Sequence, residues 1–294
     1  MNLSMAAALL SVALVCPGDA AAEAPGRTGW DSVGTILRTP AVFAGGYYRY
    51  NFPRRDLTLR LGDVTVSPAL ALGGWAGFSG DPGDATMMGD LVLVSAEVKP
   101  VLAELARQGL DATAVHNHLV GETPTITYVH IHGQGSAIDL ATKLDRVIAL
   151  TGTPRPVVPA APAPLTIDTA LVFKVLGRSG RAQGGVAQVS FMLVADSVRL
   201  HGRILVPALA YGSPVNIQMV SPERAVATGD FAVTDEHVAP LVRALAAHGI
   251  VATAVHSHLI GESPTIRYVH FWADGPPGDV LAGLRAAIDS GTRH

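Results

Sequence analysis

Two histidines one residue apart, a glutamate and two more alternating histidines form the constellation in this sequence whose types and spacing suggest chemistry. They are His116, His118, Glu122, His130 and His132, and the set recurs 140 residues later as His256, His258, Glu262 and His270, with Trp272 in place of His132. Side chains two apart on a strand share a face, so each His-x-His pair points one way. If the intervening turn centres near Thr123, His116 lies opposite His130 and His118 opposite Tyr128, with Cβ atoms about 4.5–5.5 Å apart. Imidazoles so spaced can converge on a divalent metal ion, zinc first among candidates, because zinc–nitrogen bonds are about 2.0–2.1 Å. The expected ligands are therefore His116, His118, His130, His132, His256, His258 and His270. Val115, Leu119, Val129 and Ile131 fall on the opposite face and are expected to line a core. Imidazolium neighbours repel below about pH 6.5 unless metal or carboxylate compensates. The alternative is a structural hydrogen-bond network.

Glu122 and Glu262 are the expected catalytic carboxylates, either completing the coordination or acting as general base on a metal-bound water. An exposed turn position is their plainer reading. Tyr128 and Tyr268 share the histidine face and are expected to contact substrate. Arg54 would hold an anionic substrate group, and only in the first copy, since the second has Leu193 in the matching stretch. A solvated strand end is the other reading of Arg54 and Arg55. Asp90 and Asp230 each follow a glycine at an expected strand start, where they could orient a histidine or cap a turn.

These residues sit in an internal duplication. Gly109 to His130 and Gly249 to His270 agree at 16 of 22 positions, against 7 of 24 for the segments just before them, so the hairpin is what the two copies share most closely. A first repeat over residues 29–151, a Pro-rich linker over 152–164 and a second repeat over 165–290 follow from the recurring landmarks and from five prolines between Pro154 and Pro164. Each repeat reads as two opening strands (Gly46 to Phe52 and Leu57 to Val66; Gly185 to Val194 and Val198 to Val206), then a helix stopped by Gly109 or Gly249. The histidine hairpin follows, and a last amphipathic helix closes the first repeat over Ser136 to Leu150. The expected class is α+β: two tandem homologous domains, each an antiparallel sheet with about two helices on one face.

The chain has 294 residues, 49% hydrophobic and 15% charged, enough for two cores. A formal charge of −3 with scattered Lys and Arg offers no basic stripe for a phosphate backbone, so nucleic acid is not an expected partner. Residues 1–22 read as a cleaved export signal, with an apolar run from Ala6 to Val15 and an Ala-rich site before Glu23. Periplasmic or secreted localisation follows. Lipid anchoring at Cys16 is a minority reading because bulky Val15 precedes it. No later run is long enough to span a membrane.

Together, His116-Asn-His118, Pro53-Arg54 with Asp56, Gly89-Asp90 and Tyr128-Val-His130-Ile-His132 resemble the domain-of-unknown-function family typified by the mycobacterial LppY and LpqO lipoproteins. The resemblance spans both repeats and implies an exported bacterial protein of two such domains, with no activity attached. His-x-His followed by Glu is also similar to the first motif of cupins, but a helix ends just before it here, so only the logic of the site is shared. The resulting expectation is a divalent-metal-binding envelope protein, acting as a metal-dependent hydrolase on a small molecule or cell-envelope component. The alternative is a non-catalytic module binding metal, glycan or peptide.

Overall fold

The computed structural model describes residues 28–157 and 167–292. The expected export signal and most of the Pro-rich linker lie outside them. The first repeat opens with α1 (Thr28–Leu37), β1 (Val42–Ala44) and β2 (Tyr47–Pro53), then a small hairpin of β3 (Leu59–Leu61) and β4 (Val64–Val66). After the one-turn α2 (Pro68–Ala71) come β5 (Gly73–Asp81), β6 (Asp84–Val94), α3 (Ser95–Gln108) and β7 (Asp111–His116). The short β8 (Glu122–Thr123), β9 (Ile126–Gly135) and α4 (Ala137–Ile148) complete it. The second repeat follows the same plan: α5 (Thr169–Leu176), β10 (Arg181–Gln183), β11 (Val186–Phe191), β12 (Arg199–Leu200), β13 (Arg203–Ile204) and α6 (Pro207–Ala210). Then come β14 (Ser213–Ser221), β15 (Arg224–Thr234), α7 (Asp235–Ala247), β16 (Val251–His256), β17 (Ile266–Gly275) and α8 (Pro277–Gly291).

Each repeat builds one six-stranded antiparallel sheet, ordered β1-β2-β5-β6-β9-β7 and β10-β11-β14-β15-β17-β16. The α+β reading holds in both halves. Three helices rather than two cover each sheet, because α1 and α5 begin before the first expected strands. Both are short, and their apolar residues gave no strand-like alternation to mark them.

Alternation along the strands divides the buried side chains into two sets. In β9, Val129 and Ile131 face the helices and join Leu37, Tyr50, Phe78, Leu93, Val101 and Leu144 in one core. The second half repeats this with Val269, Phe271, Phe231, Leu245 and Leu284. Burying such a side chain is worth about 1.5–3 kcal/mol, so each half has a core of its own.

The other faces of the two sheets meet each other. Tyr128, Val92 and Leu70 of the first half pack with Val186 and Val226 of the second, and Tyr47 and Met88 pack with Leu209, Ile266 and Tyr268. Hydrogen bonds reinforce the junction: the Gln218 side chain accepts from the Ser67 amide and donates to the Thr65 carbonyl, and Gln188 donates to the Ala69 carbonyl. Ion pairs Arg203–Asp84 and Arg224–Asp63 close its edges. Histidines on the inner faces therefore confront histidines of the other repeat.

Candidate metal centre

The local fold aims the ring of each histidine. In β9, Tyr128, His130 and His132 alternate with Val129 and Ile131, and all three point away from the helices. The observed register sets His116 opposite Tyr128 and Ala114 opposite His130, two residues from the expected pairing. The hairpin centres near Glu122 rather than Thr123, which accounts for the difference, and an extra residue at Thr113 shifts the register once more between Ala112 and Ala114. His118 consequently lies beyond the end of β7, on the loop rather than in the ladder. Val115 is 51% exposed on the outside of this edge strand, and Leu119 packs between the repeats, so neither lines the core under the helices.

Glu122 and Glu262 hold that loop. Both are buried rather than exposed, and the Oε1 of each accepts the amide of Ile126 or Ile266 at 3.0 Å. Asn117 adds a bond from its side chain to the Ile126 carbonyl at 2.8 Å. Tyr128 and Tyr268 donate their hydroxyls to the carbonyls of Ala71 and Ala210, which fixes each phenol ring as a platform. His118 stacks on Tyr128 with centroids 3.5 Å apart, and His258 on Tyr268 at 3.4 Å.

Across the junction the six hairpin histidines form one cluster with approximate two-fold symmetry. His116 meets His256 at 3.8 Å between centroids, His118 meets His270 at 4.0 Å, and His130 meets His258 at 3.5 Å. Ligand nitrogens of His116, His256, His258 and His270 lie within 4.8 Å of one another, as do those of His116, His118 and His130. His116 belongs to both groups.

Two carboxylates flank the rings. Asp90 pairs with His130 in the middle of β6, and Asp230 with His270 in the middle of β15, not at strand starts. Asp90 Oδ2 lies 3.8 Å from His118 Nε2 and 3.7 Å from His130 Nε2, and both carboxylates are buried. The sequence offered orientation of a histidine or turn capping for these residues; a mid-strand position leaves no turn to cap.

The electrostatics are those of a buried site. Burial lowers the basicity of all six imidazoles, that of His116 to about 3, and neighbouring rings add repulsion at His118, His130, His258 and His270. Burial also raises the Asp90 carboxyl well above its ordinary range, with further repulsion from Asp230, and raises Asp230 to about 7. The rings are therefore neutral donors at physiological pH. The Nε2 atoms of His116, His118, His130, His256, His258 and His270, with Oδ1 of Asp90 and Asp230, are buried and have no hydrogen-bond partner among the described residues. Leaving such a group unsatisfied costs about 1–3 kcal/mol. A cation held by one of the two ligand groups would satisfy several of these nitrogens at once, and an all-imidazole set with nearby carboxylate suits zinc, copper, nickel or iron rather than magnesium or calcium.

The comparisons agree with the two-fold plan. The family described as Domain of Unknown Function (DUF1259) matches residues 31–150 and again 170–290. The chain belongs to this family. It carries two DUF1259 copies in tandem, and each supplies one hairpin to the cluster. No curated protein matches the chain. Among solved structures, a double-ringed trimeric shell protein of the RMM microcompartment is 12% identical with a TM-score of 0.20, covering 70% of this chain and 82% of its own. A fused, permuted hexameric shell protein of that microcompartment is 15% identical with a TM-score of 0.18, covering 72% and 86%. Likeness at that level says nothing about the fold or chemistry of the DUF1259 pair.

Four expected site residues lie apart from the cluster or are otherwise engaged. His132 bonds Asp111 at 3.3 Å and approaches His201, and is not among the converging ligands. Glu122 and Glu262 serve the loop as described. Arg54 is 1% exposed and held by Asp56 at 2.8 Å, Glu97 at 2.6 Å and the Val92 carbonyl at 2.8 Å. Its charge is spent inside the first repeat, tying β2 to the start of α3. Sequence reasoning left open whether the two hairpins bind independently or face one cleft; the signal for the joint cluster was the duplicated histidine face itself, polar on one side and apolar on the other.

Proposed function

We propose that the chain is a transition-metal-binding protein whose site is made jointly by the two repeats, with one divalent ion held per chain. The observation that carries this reading is the set of buried, partnerless Nε2 atoms on six neutral imidazoles contributed three by three. Because His116 belongs to both ligand groups, the groups overlap and cannot both be filled with a full set. A bound cation would favour the ionised forms of Asp90 and Asp230, which would then supply negative charge beside it. Zinc is the first candidate. Residues 1–22 and the LppY/LpqO-like resemblance support an exported protein of the cell envelope, and among the described residues no helix is long and apolar enough to cross a membrane.

A metal-dependent hydrolase acting on a small molecule or envelope component is the second reading. It is favoured by the partial exposure of His116 and His256 beside buried His130, His258 and His270, which leaves one side of the cluster approachable. In that reading Glu122 and Glu262 are candidate bases, although both are engaged in the loop, while Asp90 Oδ2 lies 3.7 Å from His130 Nε2. A binding role for Tyr128 and Tyr268 would use the ring faces, since their hydroxyls are engaged.

The test is elemental analysis of the mature chain purified without chelator and reloaded with zinc or copper. Close to one equivalent per chain is expected. Two equivalents, or none, would overturn the shared single-ion site.

A further inference from the structure

One imidazole of the histidine face lies outside the cluster and meets a histidine of the other repeat at the edge of the junction. His132 is 4% exposed. Its Nδ1 lies 3.3 Å from Oδ2 of Asp111, directly across the β7–β9 ladder, and its buried Nε2 has no hydrogen-bond partner among the described residues. The ring of His201, from the turn between β12 and β13, stands 5.9 Å away with the two planes at 66°. That turn is fixed on both sides of His201. Leu200 and Leu205 pack in one cluster with Met88, the ladder partner of His132, and Arg203 donates to the Asp84 carboxylate at 2.7 Å.

The duplication supplies a counterpart of this location at the other edge, and there all three residues differ. Trp272 stands for His132, and its ladder partner is Val251 where His132 has Asp111. Matching Leu61 with Leu200 and Pro68 with Pro207 sets Gly62 against His201. Gly62 has a φ of 59° and His201 one of 48°, so both turns take the left-handed conformation that favours glycine, and the second repeat carries an imidazole there all the same. Trp272 instead packs in one apolar cluster with Leu59, Leu61 and Val64. A carboxylate and two imidazoles thus occur together at one edge and are replaced together at the other.

We propose that His132 and His201 form a second, labile site for a divalent transition ion such as zinc, bridging the two repeats at the edge of the junction. Nδ1 of His132 donates to Asp111, which fixes the tautomer with its lone pair on Nε2, as metal-ligating histidines require. Two imidazoles bound to one tetrahedral ion at about 2.0–2.1 Å set their ring centroids about 5–6 Å apart. The observed 5.9 Å lies in that range. His201 is exposed, which opens the remaining coordination positions to water and gives the ion a way in. Two protein ligands hold an ion far less tightly than a full set, so this one leaves on desalting and adds nothing to the metal that the chain retains. None of the three residues belongs to the six-histidine cluster, so the edge site stands apart from the central one.

The test is calorimetric titration with zinc of the full chain after reloading with zinc and desalting. A one-to-one event of micromolar Kd is expected. His201→Gly, which installs the residue of the first repeat in the same backbone conformation, should weaken that event at least tenfold. The zinc retained after desalting should be the same in parent and variant whatever its amount, so failure of the central cluster and failure of the edge site give different results. Absence of a micromolar event in the parent would overturn the proposal. So would an equal Kd in the parent and His201→Gly.

Discussion

His116 of the first repeat faces His256 of the second with ring centroids 3.8 Å apart. Residues 140 positions apart thus form the middle of one cluster, on the approximate two-fold axis between two sheets that share a plan. Neither repeat holds the whole of it. The carboxylates, the tyrosine platforms and the loops pinned by Glu122 and Glu262 occur in matched pairs around that contact.

Replacing the carboxylates should weaken metal binding without unfolding the protein. Asp90→Asn with Asp230→Asn keeps shape and removes negative charge from beside the ion, and loss of such outer partners costs about 10–100-fold in affinity. Competition titration of zinc against a chromophoric chelator measures it. An affinity unchanged by the double variant would show that these carboxylates take no part.

The metal-free protein should lose stability as pH falls below neutrality. Each cluster histidine has a folded pKa below its unfolded value near 6.5, so between the two the unfolded chain binds the extra proton and stability drops as pH falls through 6.5 toward the folded value, about 3 for His116. Asp90 and Asp230 act in the opposite sense. Their raised folded values mean that the folded state takes up protons first, stabilising it as pH falls from about 7 toward 4 at Asp230. Six imidazoles outweigh two carboxyls, so chemical denaturation of the metal-free chain should show lower stability at pH 5 than at pH 7. Equal stability at both would contradict the neutral, buried state of the rings.

Arg54→Ala should act on the fold and not on the metal. The guanidinium is buried between Asp56 and Glu97, and removing one partner of a buried pair costs about 3–5 kcal/mol. Denaturation should reveal that loss, and folded Arg54→Ala should still take up about one equivalent of zinc. Retained stability with altered ligand binding would instead return Arg54 to a substrate role.

Much of this architecture was legible in the residues. Alternation of Tyr128, His130 and His132 with Val129 and Ile131 separates a polar face from a core face in any register, so the histidine surface survives the two-residue difference from the expected pairing. Repetition of the landmarks implied two like halves and an antiparallel sheet in each. Arg54 misled because a strand-end arginine reads as solvated until Asp56 and Glu97, the latter 43 residues away, are seen to enclose it. The joining of the sheets was not readable locally, since it depends on which polar faces lack any other partner.

The shared site is tested most directly by disabling one repeat at a time. His116→Ala with His118→Ala leaves all three hairpin histidines of the second repeat in place, and His256→Ala with His258→Ala does the converse. Metal content of each double variant, measured alongside the parent after reloading with zinc, should fall from about one equivalent to less than a tenth in both, because each variant loses two cluster histidines, one of them from the central His116–His256 contact. If each double variant instead kept half or more of the parent's metal, the repeats would bind independently and the joint centre would be contradicted.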